Sequence, residues 1–486
     1  MFNQTQENKI NWVYGLVALI LVIKLCMLPF AQTVHSDAVA RVFGAIDWMH
    51  DPHWIKSGVW APFHFYLNGI ALSIWNSPVY APKLLNIVFS CLTLIPFFYF
   101  VRREFNENGA LIATIFLAIC PILFRNSFQA LAGTSYLFFL VLSLNYLSKA
   151  LSEKSFTYAA FAGLAISFAA GIRYEAWLLM MVYWLIIILK KEWLQSFIYG
   201  GIAVIFPVIW LITNWMETGD PMFGINGNYT WTLDIMQNND SLNWESHLRR
   251  IWFFPFSLMI ALGPPAAFIT LKMIISSYKE EKSAAIWSIP FWIVFAFMIY
   301  NCYRGVLLIQ HRFVGTLVVL ALPFTALYFA ELTVRKKRIA VVFGIITLGL
   351  TFIYNTDGVT PLPRLKNQDI VKIAQITNNQ TDEESSLILD FIGWDKTYFI
   401  ALNSGQPKRN ITIAEGTKNK ALMLNNIKNN LERFDQGIIL LEHQSKLSKL
   451  LGESVDLSLC TDKNFQFTTA AIYNDKRYTL YKWWRK

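Results

Sequence analysis

The sequence predicts an α-helical protein that crosses a membrane many times and ends in a soluble α/β domain. Three observations carry that prediction. Of the 486 residues, 55% are hydrophobic and only 15% charged, with 38 Phe and 18 Trp, more apolar surface than a soluble core hides. Apolar stretches long enough to cross a bilayer, which takes about 20 residues, recur from residue 12 to residue 355. Beyond that point 33 of the last 131 residues are charged, against 41 in the preceding 355. The shift divides a membrane domain, 1–355, from a soluble domain, 356–486.

The first apolar stretch, 12–30, follows Lys9 and lacks a small-residue cleavage site, so it reads as a retained anchor. Lys24, near its outer end, is expected to snorkel to the surface. Ten more spans are expected near 80–101, 109–124, 130–148, 156–172, 174–189, 194–215, 252–272, 284–302, 313–333 and 339–355, about 11 transmembrane helices in all. With the amino terminus inside, the inner connections carry Arg102-Arg103, Lys149 with Lys154, Lys190-Lys191, Lys272 with Lys279 and Lys282, and Arg335 through Arg338. Every inner loop is then basic, as the positive-inside rule requires. An odd number of spans sends the soluble domain outside, which fits a plasma (bacterial inner) membrane with a cytoplasmic amino terminus and a periplasmic or extracellular carboxyl domain. The net charge of +10 follows this loop pattern and forms no basic patch, which excludes nucleic acid as partner. Cys26, Cys91, Cys120 and Cys302 lie in or beside apolar segments and Cys460 stands alone, so there is no disulfide framework and no CxxC metal spacing.

Two outer loops are large. Within 31–79, residues 38–49 and 65–75 have helical spacing with apolar faces and are expected to lie along the membrane interface. Loop 216–250 is rich in turn residues and carries Trp231, Trp244, Glu245, His247, Arg249 and Arg250, a lid, an acceptor surface or an ordinary loop. In the tail, strand-like runs at 387–392, 437–441, 467–472 and 478–483 alternate with helix-like runs at 369–377, 422–434 and 444–451, which predicts a small α/β domain. It shows no Gly-rich phosphate loop and no catalytic arrangement.

Residues 31–66 concentrate the proton-transfer capacity. They hold His35, His50, His53 and His64 of the chain's seven histidines, together with Asp37, Asp47 and Asp51. The outer face, which the topology should leave poor in cations, keeps Arg41, Arg125, Arg173, Arg249, Arg250, Arg304 and Arg312. Arginine's planar fork grips phosphate through two hydrogen bonds at once, so a converging set makes an anion site. Each arginine alone has a plainer reading, snorkelling to headgroups or pairing locally, as Arg173 does if it meets Glu175. His311 and Arg312 enter a span as donors at its outer mouth. A carboxylate beside phosphate-gripping arginines on the outer face suits group transfer from a lipid-linked phosphate.

These residues resemble the GT-C membrane glycosyltransferases, in particular the glycosyltransferase family 39-like group of protein O-mannosyltransferases and aminoarabinose transferases. The resemblance rests on His35-Ser36-Asp37-Ala38 after the first span, Pro62-Phe63-His64-Phe65-Tyr66 some way on, Arg173-Tyr174-Glu175, and His311-Arg312-Phe313 followed by Pro323. It covers most of 1–335 in layout. Two positions depart from the pattern: Ala38 stands where Glu is usual, and Ala61 where the lipid A branch has Lys. The resemblance implies a GT-C-like membrane domain and an inverting transfer from a polyprenyl-phosphate sugar to a protein, lipid or glycan acceptor. Asp37 would be the catalytic base. Arg41, Arg125, Arg173, Arg304 and Arg312 would bind the donor phosphate, and Glu175, His64, Tyr66 and His311 would contact substrates. Some relatives use a divalent metal ion, for which His50, Asp51 and His53, with His64, are weak candidates beside their plainer reading as interfacial polar residues. The competing classes are a flippase for lipid-linked sugars and a non-catalytic assembly factor; the repeated halves and interrupted helices expected of the first are not found.

Overall fold

The computed structural model describes residues 2–31, 36–239, 244–280, 283–355, 368–382, 384–414, 420–452, 455–461 and 465–486. His35 of the first motif lies outside the described residues, as do 240–243 of the second outer loop. The chain divides into two compact units: Met1–Leu28 with Trp54–His64 and Leu84–Val359, and Pro29–His53 with Phe65–Lys83 and Thr360–Lys486.

The first unit is helical. Its elements are α1 (Phe2–Met27), then, after α2 (Ser36–His50) and α3 (Phe63–Ile74), α4 (Ala81–Glu104), α5 (Glu107–Ala118), α6 (Pro121–Asn126), α7 (Ala132–Glu153), α8 (Phe156–Ala170), α9 (Glu175–Leu189), α10 (Trp193–Ala203), α11 (Ile205–Thr218), α12 (Phe223–Asn239), α13 (Trp244–Leu262), α14 (Pro264–Lys279), α15 (Ser288–Tyr303), α16 (Gly315–Ala321), α17 (Thr325–Tyr328) and α18 (Val334–Asn355). Among the described residues six helical segments are long and apolar enough to cross a membrane, seven if one bent pair counts as a single span, so the protein is a polytopic membrane protein.

The expected count of eleven is not reproduced, and the reasons are local. At 1.5 Å per residue a helix of fifteen residues, such as α8 or α9, reaches only about 22 Å, short of a hydrocarbon layer of about 30 Å. The apolar run at 109–124 is cut by Pro121, which starts α6. The run at 252–272 is two helices, α13 and α14, bent by 108°. Gly263 at the break has φ +77, which a side chain rarely tolerates, and Pro264 and Pro265 follow as helix starters. Lys24 does not snorkel: it is 3% exposed, donates to Ser90 Oγ at 2.8 Å and lies 5.0 Å from the Phe124 ring centroid.

The second unit is built on a five-stranded sheet of order β2-β1-β3-β5-β4, with β1 (Ser386–Asp390), β2 (Ile411–Ala414), β3 (Gln436–Glu442), β4 (Phe467–Asn474) and β5 (Tyr478–Arg485). β1 runs parallel to β2 and β3, whereas β5 is antiparallel to β3 and β4. Helices α19 (Gln368–Gln380), α20 (Trp394–Asn403), α21 (Lys420–Arg433) and α22 (Lys446–Leu451) complete the α/β domain. Ile388, Ile427, Leu431, Ile439, Leu447 and Trp483 lie at its core. The expected strands and helices are present, and β2 and α20 are additional.

Helix α2 belongs to this second unit. Ala38, Val39, Val42, Phe43, Ala45 and Ile46 recur at helical spacing, and none is more than 4% exposed. The face expected to lie on the membrane interface is therefore packed into protein, against α20 and the turn at Lys408–Asn410. Residues 65–74 of α3 lie alongside: a Cβ on Gly44 would sit 2.6 Å from the Phe65 ring, so only glycine permits the approach.

Candidate active site

The expected site residues of the first unit come from four separated segments, and local sequence explains each placement. At the first residue of α3, the Phe63 amide donates to the Gly171 carbonyl at 2.9 Å, and its ring packs on Phe168 and Phe206 with centroids at 5.3 and 4.8 Å. That anchor sets the next residue, His64, fully buried, with Nε2 3.4 Å from the Ala130 carbonyl oxygen and Nδ1 3.5 Å from Ser135 Oγ. Arg125 is the penultimate residue of the short helix α6. Arg173 falls in the tight turn between α8 and α9, its amide donating to the Ala169 carbonyl at 3.0 Å. Glu175 opens α9, where the amino end of the helix favours its negative charge. His311 and Arg312 form a short 3-10 turn that leads into α16.

Their side chains meet. Arg173 Nε donates to Glu175 Oε2 at 3.1 Å while Nη2 donates to Oε1, a two-pronged pair with side chains 18% and 27% exposed. The same guanidinium lies 5.0 Å from the Phe313 ring centroid and 5.7 Å from that of Tyr136. Arg312 approaches the Phe313 ring at 5.0 Å as well, and its carbonyl accepts from Asn126 Nδ2 at 3.4 Å. Beside Asn126, Arg125 donates to the Tyr354 carbonyl at 3.0 Å and lies over the Tyr354 ring at 5.1 Å. His311 completes the chain of contacts: its ring stacks on Phe253 at 4.9 Å, meets Tyr354 edge-on at 6.3 Å, and holds Nδ1 2.7 Å from Ser257 Oγ. His64 adjoins through Ser135, the neighbour of Tyr136.

Arg125, Arg173, Glu175, His311, Arg312 and His64 are thus brought together. Arg304 is not: it ends α15 exposed, 5.8 Å from the Tyr300 ring. Asp37 and Arg41 lie in the second unit on α2, half-buried and four residues apart, so they share one helix face. Tyr66, also in the second unit, packs its ring on Trp48 at 5.1 Å.

The metal candidates fare differently. His53 Nδ1 is 2.7 Å from the Asp51 carbonyl and 3.8 Å from its carboxylate, with side chains 58% and 90% exposed, and His50 is exposed. Among the described residues no three His, Cys, Asp or Glu side chains come together as a metal site needs. These residues do not fit a metal centre, and no chemical step is derived through one.

Sequence reasoning missed the aromatic residues that seat the guanidiniums, Tyr136, Phe313 and Tyr354. Only Phe313, directly after Arg312, carried a signal. The arrangement suits a phosphate: Arg173, paired with Glu175, and Arg312 share the Phe313 ring, Arg125 lies over the Tyr354 ring, and these aromatic faces hold the cations by cation–π attraction.

The comparisons agree with this architecture. Residues 59–215 match the family described as dolichyl-phosphate-mannose-protein mannosyltransferase. No curated protein matches the chain in sequence. Among solved structures, ArnT from Cupriavidus metallidurans bound to undecaprenyl phosphate superposes with a TM-score of 0.66 at 11% identity, over 97% of this chain and 98% of that one. The archaeal oligosaccharyltransferase AglB from Archaeoglobus fulgidus, in complex with an inhibitory peptide and a dolichol-phosphate, gives a TM-score of 0.54 at 12% identity, over 88% and 69% of the two chains. The fold is shared with ArnT and AglB.

Proposed function

We propose that this protein, which has the GT-C fold, is a glycosyltransferase that moves a sugar from a polyprenyl-phosphate donor to an acceptor on the outer, periplasmic face of the membrane. The observation that carries the reading is the sharing of the Phe313 ring by Arg173 and Arg312, with Arg125 over the Tyr354 ring that His311 also meets. The lipid phosphates named with ArnT and AglB are the ligand chemistry such a cluster would hold.

In this reading Asp37 is the general base. Its carboxylate takes the proton from the acceptor hydroxyl or amine, whose freed electron pair attacks the anomeric carbon. The bond from that carbon to the phosphate oxygen breaks, and polyprenyl phosphate leaves with the bonding pair. One displacement inverts the anomeric configuration. Arg125 and Arg312 stabilise the charge growing on the leaving phosphate, and a phosphate leaving group needs such electrostatic help more than a general acid. The Arg173–Glu175 pair fixes one wall of the site, and His64 and His311 supply acceptor contacts. The same reading gives Arg41 to the donor phosphate and Tyr66 to the substrate contacts.

The test is incubation of the purified protein with a panel of radiolabelled polyprenyl-phosphate sugars and candidate acceptors. The reading expects one donor to give labelled product of inverted anomeric configuration. It fails if no donor is consumed, or if the protein instead moves intact lipid-linked sugar between leaflets.

A further inference from the structure

Lys24 lies inside a membrane-spanning helix of the first unit, 3% exposed, and the proposed chemistry makes no use of it. A buried ammonium in a span is costly unless an opposite charge answers it. Among the described residues no carboxylate does. Its contacts are the Ser90 hydroxyl, to which it donates at 2.8 Å, and the Phe124 ring, so two of its three N–H donors lack a hydrogen-bond acceptor.

The ammonium lines a cavity of about 30 Å³ together with Ser90, Thr93, Thr134, Leu123 and Phe124. A water needs at least about 10–15 Å³, so the space takes two waters or one small ion, and no phosphate or lipid headgroup. The hydroxyls of Ser90 and Thr93 donate to the carbonyls of Ile87 and Phe89, both at 2.7 Å. The Thr134 hydroxyl donates to the Asn126 carbonyl at 3.3 Å, long for such a bond and easily exchanged for a closer acceptor. Waters would fill the volume but leave the charge unanswered, whereas a small anion does both.

We propose that the Lys24 cavity is a binding site for one monovalent anion of about the size of chloride. The ammonium is its charge partner and the Thr134 hydroxyl its second donor. The site takes no part in sugar transfer and stands whether or not that reading of the function holds.

The experiment is thermal unfolding of the full-length protein in detergent, at fixed sodium concentration, with gluconate exchanged for chloride or bromide. Wild type should unfold at least about 2 °C higher in either halide, with saturation, because a ligand that binds only the folded state stabilises it. Lys24→Met keeps the length and removes the charge; it should unfold in gluconate at or above the wild-type temperature and lose the halide dependence. Should that variant fail to fold, Thr134→Val keeps the side-chain shape without the hydroxyl and should raise the chloride concentration for half the effect about fivefold. The same wild-type unfolding temperature in gluconate and chloride, which two waters or an uncharged amine would give, overturns the inference. So does a halide dependence that survives intact in Lys24→Met, or that Thr134→Val leaves unshifted.

Discussion

Arg312 and Arg304 are both outer arginines in the sequence, but their surroundings separate them. Arg312 shares the Phe313 ring with Arg173, whereas Arg304 sits exposed at the end of α15. Replacing Arg312 with Lys keeps the charge and removes the planar fork, so donor KM is expected to rise about tenfold or more; Arg304→Ala should leave donor KM within about twofold. Steady-state kinetics across donor concentrations checks both, and equal effects at the two positions would refute the assignment. Residue types alone named Arg125, Arg173, Glu175, His311 and Arg312, because arginine on an outer face and an acid at a span's mouth are costly unless used. They did not show which arginines converge, since that depends on which helix ends adjoin. Lys24 teaches the same limit. Its depth was legible, but Ser90 and Phe124, which keep it buried, come from distant helices.

At the scale of elements, periodicity found the long strands and helices of the tail, because alternation and an apolar stripe are local properties. Strand β2 escaped notice because Ile411–Ala414 is four residues long. The break between α13 and α14 was hidden by continuous hydrophobicity, although Gly263-Pro264-Pro265 was the available signal. Gly263→Ala forces a side chain to φ +77 and is expected to cost about 1–2 kcal/mol, seen as a lowered unfolding temperature; an unchanged value would contradict the strain. The β4–β5 turn makes a pH prediction. Partial burial works against the charge on Asp475, yet the Tyr473 hydroxyl and the amides of Arg477 and Tyr478 all donate to its carboxylate at 2.7 Å and hold its pKa below the usual range. A carboxyl whose pKa is lower folded than unfolded adds stability above its unfolded pKa, and that stability is lost as pH falls through the folded value. Acid titration of unfolding should therefore show a shallower loss below about pH 4 in Asp475→Asn than in wild type; parallel curves would refute it.

For the whole molecule, composition alone gave the membrane class, because it is an average over many residues. The count of spans did not follow, since short helices and bends break the link between apolar runs and crossings. Nor did the make-up of the second unit, which gathers α2 and most of α3 with the sheet; pairing across some 350 residues leaves no local trace. The account as a whole stands on an outer-face sugar transfer driven by one carboxylate. The most direct measurement is the release of polyprenyl phosphate from a labelled donor by wild type and Asp37→Asn, with donor binding measured on the same preparations. Release should fall at least about a hundredfold in the variant while donor affinity stays within about threefold. Release at the wild-type rate from Asp37→Asn would contradict the account.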